Sequence, residues 1–128
     1  MQALLEIGNA RAYGTHPIAG WAKFTQNGAT NAAQTLTENF GIVSVTKTGT
    51  GLWTCVLQDL LPGWMPIVQV AGASTLCYLP QIIAVTQATK QFTFCLFKAP
   101  TPATPVFALD DGASAVFSIF IYGRGSIA

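Results

Sequence analysis

The chain has 128 residues, 51% of them apolar and only 9% charged, with a formal net charge of +1. A chain of this length is one domain's worth, and burying about 65–70% of its unfolded surface needs neither disulfides nor metal. Six basic against five acidic residues exclude a basic nucleic-acid footprint, an acidic tail and a strongly charged disordered segment.

Charged residues usually make up about 25% of a soluble domain, and the mean hydropathy here is +0.45. A membrane reading is therefore tested first. No window reaches the ~18 uninterrupted apolar residues of a spanning helix. The longest runs, LCYLPQIIAV and AVFSIFIYG, are strand-sized, and Pro80 interrupts the first. The start, MQALLEIGNAR, lacks the basic n-region and apolar core of a secretory leader. The apolar surplus points instead to burial against other subunits. A monomer with an uncharged Thr/Gln/Ser surface is the alternative.

In chain order, residues 1–17 read as an N-terminal arm, because Gly14 and Pro17 break any longer element. Leu4, Leu5, Ile7 and Tyr13 are its candidate partner contacts. Residues 18–128 form the domain. IAGWAKFT (Ile18–Thr25) has period two, with Ala22 and Phe24 on one face and Trp21, Lys23 and Thr25 on the other. Gln26–Thr35 is polar and turn-rich around Asn27-Gly28. FGIVSVTK and LWTCVLQ flank TGTG and predict a β-hairpin over Phe40–Gln58, with both faces of its second strand partly apolar.

Asp59–Pro66 reads as a loop turning at Pro62-Gly63, with Trp64 and Met65 as exposed candidate contacts. Strands follow over Ile67–Gly72, Thr75–Thr86 and Gln91–Lys98, and Pro80 marks a bend, bulge or edge. Ala99–Pro105 is a stiff extended crossing, Ala108–Ala113 a turn, and AVFSIFIYG the last strand. Seven short strands with no helix predict an all-β fold, a single antiparallel β-sandwich or jelly-roll-like domain.

Catalytic chemistry finds little footing. Asp110-Asp111-Gly112 is the only adjacent carboxylate pair, and in a β-protein it reads as a turn; calcium would need more oxygen ligands. One histidine, His16, supports no triad by spacing. TGTG lacks the following helix of a phosphate loop. Cys55, Cys77 and Cys95 form no CxxC and read as buried free thiols that pack as small hydrophobes. No enzyme activity, cofactor or metal is expected.

One pattern extends over most of Gly20–Arg124. A Trp-bearing strand with an Asn-Gly turn precedes a segment carrying Ile42, Ser44, Val45, Thr46, Gly49, Thr50, Gly51, Trp53 and Thr54. PIVQVAG and the closing FSIFIYGR come after it. This resembles a β-domain of tailed-bacteriophage virion proteins, notably the distal parts of tail fibres. The resemblance implies a phage structural protein, usually trimeric and without enzyme activity, and it carries over no catalytic residue. Tail fibres have long attachment and shaft regions, whereas only about 17 residues precede the domain here. A capsid decoration (cement) protein is therefore the expected use, located in the virion and assembled in the host cytoplasm. Its expected partners are the major capsid protein and its own copies as a homotrimer, with no nucleic acid and no membrane. The alternative is a short tail-fibre, tail-tip or head-fibre protein that binds host glycans through the loops around Trp64 and Ala99–Pro105.

Overall fold

The computed structural model describes residues 18–26, 32–59, 63–71, 77–100 and 106–123. The arm 1–17, with Leu4, Leu5, Ile7 and Tyr13, lies outside the described residues.

The described residues form ten strands and no helix: β1 (Ile18–Thr25), β2 (Ala32–Ala33), β3 (Leu36–Phe40), β4 (Ile42–Gly49), β5 (Leu52–Leu57), β6 (Trp64–Ala71), β7 (Tyr78–Thr86), β8 (Gln91–Lys98), β9 (Ala108–Leu109) and β10 (Val116–Gly123). They make two antiparallel sheets. The four-stranded sheet has the order β3-β1-β10-β6, and the six-stranded sheet the order β2-β4-β5-β8-β7 with β9 also paired to β8. The fold is a β-sandwich. The seven expected strands are all present, and three short ones join them. β3 was missed because its sequence, LTENF, is polar and mostly exposed on a sheet edge.

Period two decides which side chains enter the core. β1 sends in Ala22 and Phe24, β5 sends in Trp53, Cys55 and Leu57, and β8 sends in Phe92, Phe94 and Leu96. β10 completes the core with Phe117, Ile119 and Ile121. The aromatic rings meet within and across the sheets: Phe24 stacks on Phe117 at 4.8 Å in the four-stranded sheet, Trp53 stacks on Phe94 at 5.4 Å in the six-stranded sheet, and Trp53 reaches across to Phe117 at 4.8 Å. Such rings supply large buried areas at little conformational cost.

The predicted hairpin is β4–β5, closed at Thr50-Gly51. Gly51 has φ of 65°, and a Cβ there would meet the backbone of Asp110 at 3.0 Å. Glycine is needed on both counts.

Two expectations about exposure are corrected. Trp64 does not sit in an exposed loop. It opens β6 with 7% of its surface exposed, its ring 6.0 Å from Phe92. Pro62 and Pro66 suggested a loop, but β6 is an edge strand, where a proline can be carried without losing a ladder bond. The thiols also differ: Cys55 and Cys95 are buried, whereas Cys77 precedes β7 and is exposed. Burial pushes the Cys55 thiol up to about 12 and raises that of Cys95. Pro80 lies on the edge strand β7, next to a register shift between Ile82 and Ala84.

Candidate interaction surface on the four-stranded sheet

Asp110-Asp111-Gly112 was the strongest carboxylate signal, and it builds structure. Asp110 Oδ1 accepts from the Gly112 N–H at 2.8 Å, the local bond of an Asx turn. Asp111 reaches across the fold. Its Oδ1 accepts from the Gly51 N–H at 2.7 Å, and its Oδ2 receives Lys47 Nζ at 2.9 Å. Lys47 is 2% exposed and points inward from β4. An ammonium that deep is tolerable only beside a compensating charge. Asp111 therefore ties the β4–β5 turn and a buried lysine to the entry of β10, which leaves this carboxylate engaged at both oxygens. Burial, with a contribution from the Asp110 carboxylate, raises the Tyr78 phenol above its ordinary value.

The remaining surface offers little for small-molecule chemistry. Among the described residues, no group of three or more His, Cys, Asp or Glu could hold a metal ion. An open groove of about 420 Å³ runs between the edge strands β6 and β7, lined by Val68, Gln69, Val70, Ala71, Pro80 and Ser118. None of these six side chains titrates in the range where acid–base catalysis operates.

The outer face of the four-stranded sheet is different. Residues directly opposite in an antiparallel pair project from the same face. The register places Phe40 opposite Trp21, Trp21 opposite Phe120, and Phe120 opposite Ile67. Ala22 and Ile119, their neighbours in sequence, point into the core. The four apolar side chains thus form one row across all four strands on the outside. Phe40 is 58% exposed and Ile67 37%, while Trp21 and Phe120 stack at 6.4 Å with 13° between their planes. Beside this row, Tyr122 stands opposite Met65 and Ile18, and Met65 is 58% exposed. On the other side lies a polar row, Glu38, Lys23, Ser118 and Gln69, in strand order.

A second, smaller apolar cluster sits on the other sheet. Leu79 and Leu109 flank Phe97, and the exposed Phe107 meets the Phe97 ring edge-on at 6.5 Å.

Of the sequence candidates, Met65 belongs to the first surface, Trp64 is core, and Leu4, Leu5, Ile7 and Tyr13 lie outside the described residues. Phe40, Trp21, Phe120, Ile67 and Tyr122 were not singled out together. The available signal was β10 itself: FSIFIY is apolar or aromatic in both phases, so one phase had to face outward. Comparison with known proteins returned no match to a family model, a curated protein or a solved structure.

Proposed function

We propose that the protein is a non-enzymatic structural subunit of a phage virion, a capsid decoration (cement) protein that binds and stabilises the major capsid protein lattice together with copies of itself. The observation that carries this reading is the pair of exposed apolar clusters on different faces of a nearly uncharged sandwich. A subunit that bridges neighbours must present more than one sticky surface. Interface cores are depleted in charge and enriched in aromatic residues and Met, as the surface around Trp21, Phe120 and Met65 is. The phage assignment itself rests on the sequence resemblance. Repetition on a lattice would let weak single contacts add through effective concentration.

The alternative, a tail-fibre or head-fibre protein that binds host glycans, is the weaker reading, because Trp64, its best stacking residue, is buried against Phe92. The test is copy number per particle, by quantitative mass spectrometry against the major capsid protein. A ratio between about one-third and one is expected for a lattice-wide subunit. A handful to a few tens of copies would transfer the protein to the adsorption apparatus, and absence from particles would overturn both readings.

A further inference from the structure

We propose that the outer face of the four-stranded sheet is a self-association surface, and that its occupant is the same face of a second copy of this chain. The inference rests on the assembly reading but replaces its expected homotrimer with a twofold contact between two copies, and it stands on the geometry of that face whether or not a capsid is the destination.

The argument for a second copy is one of matching. Consider a twofold axis running along the strand direction between the central strands β1 and β10. It lays β1 of one copy over β10 of the other, and β3 over β6. Within the apolar row, Trp21 then meets Phe120 and Phe40 meets Ile67. Within the polar row, Lys23 meets Ser118 and Glu38 meets Gln69. Apolar side chains fall on apolar ones. Each charge falls on a neutral side chain that can hydrogen-bond it, and no like charges face each other. A surface with one Lys and one Glu has no strong field with which to select a highly charged partner, so self-pairing suits it. The two sheets would pack face to face about 10 Å apart, as sheets do inside sandwiches.

Size agrees. Three strands of eight residues and the five-residue β3, about 4.8 Å apart with about 3.3 Å per residue, give a face of about 460 Å² in projection. A specific interface needs about 1,000 Å² in total, or about half of that from each partner.

The test uses the purified full-length chain, without capsids, so its outcome is independent of the virion reading. Sedimentation or light scattering at about 100 μM should give a mass of at least twice the chain's 13.5 kDa. The double variant Phe40→Glu/Met65→Glu should weaken association at least tenfold while keeping a native β circular-dichroism spectrum. Thr54→Glu, on the opposite sheet, should leave the mass unchanged. A monomeric wild-type chain overturns the proposal and points to a different protein as the occupant. An unchanged mass in the double variant overturns it as well. Should that variant fail to fold, dilution of the wild-type chain decides. Trp53 and Trp64 are core residues, so Trp21 alone reports on this face. Tryptophan emission should shift to the red as the mass falls to that of the monomer, and dissociation without such a shift rejects the assignment.

Discussion

The two sheets of the sandwich carry opposite kinds of row across the middle of their outer faces. Across the four-stranded sheet runs Phe40, Trp21, Phe120 and Ile67. Across the six-stranded sheet runs Ala33, Thr46, Thr54, Thr93 and Ala84, from β2 to β7. Both rows are nearly free of charge, for different reasons. Threonine satisfies β geometry through its branched side chain and water through its hydroxyl, so the second row needs no partner. The first row has no hydroxyls and gains from being covered. A low fraction of charged residues therefore has two sources in one small domain, and composition alone cannot separate them. The apolar surplus and the uncharged polar surface, alternatives in the composition, are both present: the first across the four-stranded sheet and in the Phe97 cluster, the second along the threonine row.

This contrast requires that the two outer faces share one sound interior, and the largest expected effect tests that. Asp111→Ala removes the carboxylate from a Lys47 ammonium that is 2% exposed, and it should cost about 3–5 kcal/mol in urea unfolding. Lys47→Met removes charge and partner demand together and should cost far less. If the two cost the same, the pair is not what holds the β4–β5 turn to the entry of β10.

Alkaline pH gives the next effect. The Cys55 thiol is pushed up to about 12 from 9.0 by burial. Above about pH 9 the unfolded chain loses this proton while the folded chain keeps it. Stability is then complete below pH 9 and falls by about 1.4 kcal/mol per pH unit up to about pH 12. Cys95 and Tyr78, both raised, act in the same direction. Cys55→Ala should flatten the slope of unfolding midpoint against pH, and an unchanged slope would assign it to the other groups.

Smaller effects sharpen the contrast between the faces directly. Trp21→Ala loses a stacked ring against Phe120 and should lower the stability of the isolated chain by about 1 kcal/mol. Thr54→Ala, at the matching position of the other face, should change it by less than about 0.5 kcal/mol. Equal losses at the two positions in denaturant titrations would mean that the outer faces are not energetically distinct.

Much of this architecture was legible in the sequence, and the failures have physical causes. The hairpin at Phe40–Gln58 could be read because period two, β-branched residues and a Gly-bearing turn all agreed there. Pro80 correctly marked an edge. Trp64 misled because prolines two residues to either side signal a loop, yet an edge strand can carry one. β3 gave no apolar alternation, since it is held to β1 by backbone pairing and by Thr37 donating to the Lys23 carbonyl at 3.0 Å. Asp111 could be read as part of a turn, but not as the partner of a lysine 64 positions away, because that distance closes only in three dimensions. The apolar outer row was hidden for a similar reason. Each strand shows one or two of its members, and only the register brings them into line.

The pairing of Ile18 with Tyr122 has a practical consequence. The first and last described strands run side by side and antiparallel, so chain enters and leaves the sandwich at one pole. A short linker from Gly123 to Ile18 would close the described fold into a loop, and new ends could then be opened at an exposed turn such as Thr86–Lys90. A linker joined at Ile18 and Gly123 would therefore start and finish at the same pole of the described fold, close to Met65.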